Sequence, residues 1–200
     1  MRVLVTGGSG LLGRTTIAAL AARGHEVVAL QRRESAELTC EQVLADVCDR
    51  EAVAAAAERC DAVVHGAARV GVVGTREEFR RANVGGTEAV VAACREAGVP
   101  RLVVVSSPSV GYESVPTVGA GAEAPIEARG DGSWYSESKA EAELVALAAN
   151  GPALSVTASA SSFAASAAIS ASAFDSEYHE RSALPVIGAF APAPIVGTDS

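Results

Sequence analysis

The chain has 200 residues, of which 24 are acidic and 16 basic, and its formal net charge is −8 at pH 7. A hydrophobic share of 49% and a charged share of 20% exclude disorder of the whole chain and fit one domain of ordinary size. The acidic balance, with no long basic run to offset it, makes nucleic acid an unexpected partner.

The first half of the chain alternates between short apolar strands and helices. Residues 2–6 are predicted as a strand, and the glycine-rich turn GGSGLLG follows at once. A helix is expected at 11–23, because apolar residues recur there at helical spacing. Further strands are predicted at 26–30, 42–47 and 62–65, with an alanine-rich helix at 50–59.

The second half repeats the alternation with longer helices. One helix is predicted at 76–97 and ends at Gly98-Val99-Pro100. The apolar run at 101–106 is typical of a strand buried on both faces of a parallel sheet. A helix at 135–149 and a strand at 153–158 complete the pattern. The alternation predicts an α/β fold of the Rossmann type, a doubly wound parallel sheet with helices on both faces.

Three glycines lie between the first strand and the first helix, at Gly7, Gly10 and Gly13. A tight turn here needs residues without Cβ, and it lets the backbone approach a pyrophosphate closely. The amides that open the helix, at Leu11 and Leu12, add an anion site. The loop therefore predicts dinucleotide binding, with a glycine turn that binds no ligand as the alternative.

The residues at the end of the second strand indicate which dinucleotide binds. Sites that select NAD place an acidic side chain there, whereas NADP needs positive charge for its 2′-phosphate. The chain has Gln31, Arg32 and Arg33 at this point. A guanidinium matches a phosphate well, so NADP is the preferred cofactor. If both arginines are solvated loop residues, NAD remains possible.

Six motifs together resemble the short-chain dehydrogenase/reductase superfamily, in particular its extended branch. That branch contains sugar-nucleotide epimerases, dehydratases and 3β-hydroxysteroid dehydrogenase-like enzymes. The motifs occur in the family's order and at similar separations: TGGSGLLG at 6–13, Asp46-Val47, HGAA at 65–68, Asn83 with Gly86-Thr87, SSPSV at 106–110, and YSESK at 135–139.

The resemblance implies that further residues bind the cofactor. Asp46 would meet the adenine amino group, and Val47 would pack on the ring. The residues Gly66, Ala67 and Ala68 would line the cofactor, and Asn83 would support the site by bridging backbone. From the residues alone, Asp46 could instead cap the following helix, and His65 is interpreted as a packed strand residue.

Tyr135 and Lys139 are the expected chemical centre, and their spacing puts both side chains on one face of a helix. A free phenol titrates too high to act as a base at neutral pH, and a nearby ammonium favours the phenolate. The pair therefore predicts a general acid/base. The resemblance adds that Lys139 binds the nicotinamide ribose and that Ser107 orients the reacting oxygen.

The resemblance fails after the last predicted strand. The family has an Arg-Pro there, whereas this chain has SASSFAASAAISASAF, and a family-like segment returns only at LPVIG, residues 184–188. Family members continue for a further substrate domain. We therefore expect an NAD(P)-binding Rossmann domain at 1–158 and an atypical remnant of the substrate-binding region at 159–200.

These patterns predict an NAD(P)-dependent oxidoreductase or epimerase-type enzyme that moves a hydride between nicotinamide C4 and a secondary alcohol or ketone, sterol-like or in a nucleotide sugar. The alternative is a catalytically impaired dinucleotide-binding relative. The expected partners are a small-molecule substrate and a second copy of the chain, and no metal is expected. The four cysteines lack zinc-ligand spacing and are expected to be reduced. Reduced cysteines are typical of the cytoplasm, so a cytoplasmic location is expected. The Ala/Ser-rich stretch 151–174 is too weakly apolar to span a membrane.

Overall fold

A computed structural model of the chain describes residues 1–111 and 133–159. Six parallel strands form one sheet in the order β3-β2-β1-β4-β5-β6. Their bounds are β1 (Arg2–Thr6), β2 (Glu26–Gln31), β3 (Glu41–Leu44), β4 (Ala62–His65), β5 (Arg101–Val105) and β6 (Ser155–Ser159). The predicted Rossmann-type sheet is confirmed.

Helices cover both faces of this sheet. Their bounds are α1 (Leu11–Ala22), α2 (Arg50–Ala57), α3 (Arg76–Arg80), α4 (Gly86–Glu96) and α5 (Trp134–Leu147). Because side chains alternate along a strand, Val3 and Val5 pack with α1 residues such as Leu20 on one face. Leu4 faces the other side, where α2, α4 and α5 contribute residues such as Val53 to a second cluster.

The helical stretch predicted at 76–97 is confirmed, but one turn within it is not α-helical. A π-helical turn at Arg81–Gly85 separates α3 from α4. Within this turn, the Asn83 side chain bonds to the main chain of Arg69, outside the helix. At Gly86, an added Cβ would lie 2.7 Å from Val47 Cγ1, so α4 begins in close contact with the loop after β3. The spacing of apolar residues in the sequence does not predict these contacts between distant residues.

The third strand is shorter than predicted. It ends at Leu44, so Asp46 and Val47 lie in the following turn and not at the end of the strand. The Asp46 carboxylate accepts a hydrogen bond from the Cys48 amide, 2.9 Å away, and its carbonyl accepts one from Asp49. This local turn competes with the strand ladder. The helix cap is Asp49, whose side chain accepts from the Ala52 amide, so the capping role considered for Asp46 is wrong.

The strand order reverses between β1 and β4, where Thr6 and His65 are paired at the carboxyl ends. In open α/β sheets, ligands bind in the crevice at this point. Most of the predicted site residues follow these and the neighbouring strand ends. Within the two described ranges, none of the helices combines the length and apolar character that spanning a bilayer requires.

Candidate active site

The glycine loop between β1 and α1 is packed backbone against backbone. Gly7 has a positive φ of 76°, and an added Cβ would lie 2.8 Å from the Ala67 nitrogen. At Gly13, an added Cβ would lie 2.2 Å from the Gly7 carbonyl oxygen. At Gly10, the same distance is an ordinary 3.4 Å. Gly7 and Gly13 therefore have a local structural requirement for glycine, whereas the packing within the described residues leaves room for a Cβ at Gly10.

The amino end of α1 is open to an anion. Gly10 precedes the helix without any side-chain cap, and no acidic residue lies in the first turn. Leu11 is 78% exposed, and Leu12 is half-buried. The unpaired amides at such an end carry partial positive charge, which favours a pyrophosphate. The loop and this helix end together fit a dinucleotide.

The buried side chain of Gln31 lies against the glycine loop at Gly8. The sequence did not predict this contact. Gln31 is buried at the end of β2 and donates through Nε2 to Gln42 Oε1, 2.5 Å away. The Ser35 amide donates to the same Gln42 oxygen, and Gln42 Nε2 donates to the Ser35 carbonyl, so both amide orientations are fixed. Gln31 Oε1 then has no partner among the described residues and lies 2.8 Å from the position of a Cβ on Gly8.

A chain of hydrogen bonds runs from β1 through His65 to α4. Thr87 donates to the Asn83 carbonyl, 2.7 Å away, so its oxygen accepts from His65 Nε2 at 3.0 Å. The other ring nitrogen, Nδ1, then accepts from the Thr6 hydroxyl at 2.8 Å, and Thr6 Oγ1 accepts from the Ala67 amide at 3.2 Å. Burial lowers the pKa of His65 to about 3, and the charge of Lys139 adds to the effect. His65 is a neutral packed residue, as expected.

Asn83 braces the segment after β4 against α5. Its Oδ1 accepts from the Arg69 amide at 2.7 Å, and its Nδ2 donates to the Arg69 carbonyl at 3.2 Å and to Ser138 Oγ at 2.8 Å. Ser138 donates in turn to the carbonyl of Tyr135, 2.9 Å away. All polar atoms of the Asn83 side chain are thus used in positioning, and a direct cofactor contact of this side chain stays a prediction.

Two of the predicted catalytic residues, Ser107 and Lys139, meet the carboxyl end of β5, and Tyr135 is on the helix that carries Lys139. The Lys139 ammonium donates to the Val105 carbonyl oxygen, 2.6 Å away. Ser107 is buried two residues further along and shares a hydrogen bond with Ser109 Oγ at 2.9 Å. Tyr135 is half-buried, one helical turn before Lys139.

The electrostatics of Lys139 depend on burial and on one carboxylate. Only 5% of the residue is exposed, and burial lowers its pKa to about 8, while the charge of Glu143 acts in the opposite direction. Glu143 is itself buried and accepts a hydrogen bond from Ser106 Oγ. Neither Ser106 nor Glu143 was singled out from the sequence, because no spacing rule links residues 37 positions apart.

Two ion pairs hold α3 against α5 and so fix the helix that carries Tyr135. Arg76 bonds to Glu137 and lies over the Trp134 ring, 5.9 Å from its centroid. Arg80 bonds to Glu141 one turn further along.

At the predicted adenine end of the site, Asp46 is influenced by two arginines. The amide of Cys48 lowers the pKa of Asp46 first, and the charges of Arg81 and Arg32 lower it further. Arg32 is exposed and lies near Asp46, whereas nothing in the described residues connects Arg33 to the site. The Val47 side chain is buried against Gly86, so stacking on an adenine ring stays a prediction.

The neighbouring loop after β4 closes the crevice beside the glycines. Gly66 donates to the Thr6 carbonyl at 3.2 Å, Ala67 contacts Gly7, and Ala68 is exposed. The expected remnant lies outside the described residues beyond Ser159, and so do LPVIG and all but the first residue of SASSFAASAAISASAF.

Comparison with known proteins supports the same family. The NAD dependent epimerase/dehydratase family matches residues 3–162. The chain is 40% identical to a 2-alkyl-3-oxoalkanoate reductase of Stenotrophomonas maltophilia, over 79% of this chain and 49% of that protein. It is 36% identical to a 3 beta-hydroxysteroid dehydrogenase/Delta 5→4-isomerase of Mycobacterium tuberculosis, over 75% of this chain and 43% of that protein.

Solved structures agree with the sequence relatives. DesIV, a dTDP-glucose 4,6-dehydratase of Streptomyces venezuelae solved as a double mutant with bound NAD, is 30% identical and superposes with a TM-score of 0.69, covering 79% of this chain and 54% of that one. The chain spans about half the length of the curated relatives it matches. On the family match and these relatives, the chain belongs to the NAD-dependent epimerase/dehydratase family.

Proposed function

We propose that the chain binds NAD(P) and forms the hydride-transferring centre of an oxidoreductase or epimerase-type enzyme, with Tyr135 as general acid/base. The observation that carries the proposal is the contact of Lys139 with the Val105 carbonyl. It brings the ammonium to the end of β5, two residues before Ser107, with Tyr135 one turn earlier on the same helix. This arrangement supports a shared site for the three predicted catalytic residues.

Each of these side chains has a defined task. Among the described residues, the Lys139 ammonium makes one hydrogen bond and has two further N–H groups to offer to ribose hydroxyls and to the Tyr135 phenol. Its positive charge favours the phenolate form of a neighbouring tyrosine. The Ser107 hydroxyl would hold the reacting oxygen for proton transfer to or from Tyr135.

The cofactor would lie across the glycine loop, with its pyrophosphate at the amino end of α1. Gly7, Gly10 and Gly13 leave room for it, and the amides at Leu11 and Leu12 would bind its charge. When bound, the nicotinamide accepts or supplies the hydride. The protein's contribution is geometry, exclusion of water and control of the proton.

We also propose that NADP is preferred over NAD, although the solved relative above binds NAD. The end of β2 carries no carboxylate, because the residue there is Gln31, whose amide is held by Gln42. The next residue, Arg32, is exposed and close enough to Asp46 to affect its titration. A guanidinium in this position suits the 2′-phosphate.

The names of the relatives indicate the functional group of the substrate and not its full structure. A 2-alkyl-3-oxoalkanoate contains a ketone, and a 3β-hydroxysteroid contains a secondary alcohol, and both functional groups fit proton transfer by one tyrosine. We therefore propose a ketone or secondary alcohol on an apolar carbon frame, with nucleotide sugars as the second class to test.

The test is a hydride-transfer assay on purified chain with a panel of 3-oxoalkanoates, hydroxysteroids and nucleotide sugars, following nicotinamide absorbance. We expect turnover of at least one substrate, and a loss of about a hundredfold or more in kcat for Tyr135→Phe, with cofactor affinity retained. Trp134→Phe is the matched control, since Trp134 contacts Arg76 and not the reacting groups. No turnover with any substrate, despite cofactor binding, would favour a dinucleotide-binding protein without catalysis.

A further inference from the structure

Two adjacent contacts join the end of β5 to one face of α5. The Val105 carbonyl accepts from the Lys139 ammonium at 2.6 Å, and the next residue, Ser106, donates its hydroxyl proton to the Glu143 carboxylate. Lys139 and Glu143 are one helical turn apart. The end of β5 thus contacts a positive side chain, Lys139, and a negative one, Glu143, on neighbouring turns of α5.

All three side chains of this cluster are buried. Their exposed fractions are 5% for Lys139, 8% for Glu143 and 6% for Ser106. A charged group removed from water to this extent is costly unless an opposite charge or hydrogen bonds compensate it. The Glu143 carboxylate is the negative charge that acts on Lys139.

The two charges nevertheless do not form a direct ion pair within the described residues. The Glu143 carboxylate is bonded to Ser106, and the ammonium is bonded to Val105. The spacing of four residues would allow the two side chains to meet. A direct pair would use the N–H groups of Lys139 that the cofactor ribose and Tyr135 require.

We propose that Ser106 holds the Glu143 carboxylate apart from Lys139, so that the carboxylate keeps the buried ammonium charged without capturing it. Ser106 and Glu143 are thus positioning residues that act through Lys139. That the free N–H groups of Lys139 serve the cofactor and Tyr135 rests on the function proposed above. The effect of Glu143 on the charge of Lys139 does not depend on that function.

Among residues 1–111 and 133–159, the other groups around Lys139 do not supply this counter-charge. His65 approaches from β4 and is neutral, since burial lowers its pKa to about 3. Tyr135 lies on the same helix, and the strand end contributes only the hydroxyls of Ser106 and Ser107. Burial lowers the pKa of Lys139 to about 8, and Glu143 is the group that opposes this effect.

The chain offers a direct test, because Lys139 is the only lysine in its 200 residues. Lysine labelled with ¹³C at Cε gives one signal, whose chemical shift is followed from pH 6 to 11 by NMR. In Glu143→Gln we expect the midpoint to fall by about 1 pH unit or more. In Ser106→Ala, the released carboxylate pairs with the ammonium, and the midpoint rises.

Glu141→Gln is the matched control, since Glu141 is on the same helix but is bonded to Arg80. It is expected to leave the midpoint of Lys139 unchanged. Opposite shifts in Glu143→Gln and Ser106→Ala support the proposal, because a merely structural role would move both variants in the same direction or neither. Equal midpoints, or shifts of the same sign, would overturn it.

If Glu143→Gln does not fold, Ser106→Ala decides alone: a raised midpoint supports the proposal, and an unchanged or lowered one overturns it. The titration uses neither substrate nor cofactor. The titration can therefore be interpreted even if the hydride-transfer assay fails, so failure of this proposal is distinguishable from failure of the proposed function.

Discussion

The Lys139 ammonium and the Val105 carbonyl oxygen are 2.6 Å apart, and this contact fixes α5 to the carboxyl end of β5. A charge-assisted hydrogen bond of this kind is short and stronger than a neutral one. Ser107 follows the end of the strand and Tyr135 precedes Lys139 on the helix, so this bond joins the two elements that carry the residues assigned to catalysis. The glycine loop follows β1 at the same edge of the sheet. One strand, β4, separates β1 from β5.

Gly13→Ala is expected to abolish or severely weaken dinucleotide binding. The new Cβ would lie 2.2 Å from the Gly7 carbonyl oxygen, which is backbone and cannot move aside as a flexible side chain would. The turn must open, and the helix amides then move from the pyrophosphate. We expect at least about a tenfold increase in Kd, or about 1.4 kcal/mol, in a titration followed by nicotinamide fluorescence.

Gly85→Ala is the control for this substitution. Gly85 has a φ of −60°, and no atom lies within 4 Å of its added Cβ. Its Kd is expected to match that of the unaltered chain. Equal affinities for Gly13→Ala and Gly85→Ala would contradict the role assigned to the loop.

Arg32→Ala is expected to weaken NADPH binding selectively. A hydrogen-bonded guanidinium and phosphate contribute about 1.5–3 kcal/mol, so the Kd for NADPH rises by roughly tenfold or more, while the Kd for NADH hardly changes. Arg33→Ala serves as the comparison, because of these two arginines only Arg32 affects the titration of Asp46 in the described residues. A loss of NADPH affinity confined to Arg33→Ala would assign the phosphate contact to Arg33 instead.

His65 makes the folded chain sensitive to acid. Its pKa falls from the usual 6.5 to about 3 on burial, so below pH 6.5 the unfolded chain takes up a proton that the folded chain refuses. Stability from this group is complete above pH 6.5 and declines as the pH falls toward 3, by up to about 1.4 kcal/mol per pH unit. Urea unfolding at pH 7, 6 and 5 measures this slope.

In His65→Gln the slope between pH 7 and 5 should flatten, because the amide does not titrate. His25→Gln is the companion variant, since His25 lies between α1 and β2 and takes no part in the Thr6–His65–Thr87 chain. It is expected to keep most of the slope. If His65→Gln were as acid-sensitive as the unaltered chain, the buried neutral state of His65 would be disproved.

The sheet, its strands and the glycine loop could be predicted from the sequence because they depend on local patterns. Apolar runs mark the buried strands, and glycine spacing marks the turn. The end of β3 at Leu44 and the π-helical turn at Arg81–Gly85 escaped prediction, since they depend on the Asp46 turn and on contacts of Asn83 with distant backbone.

The hydrogen-bonded pairings that support the site were missed for a similar reason. Ser106 and Glu143 are separated by 37 residues, and Thr6 and His65 by 59. Their pairing follows from the order of the strands and from the helix that packs on them. A buried serine or glutamate has no signature in the sequence until that packing is known.

The most direct test of the account is a titration of the purified chain with NADPH and, separately, with NADH. The glycine loop, the open end of α1 and the buried Lys139 predict saturable binding of both dinucleotides, with NADPH bound more tightly through Arg32. A folded chain that binds neither dinucleotide would contradict the account, because every role assigned to Ser107, Tyr135 and Lys139 requires a bound cofactor beside them.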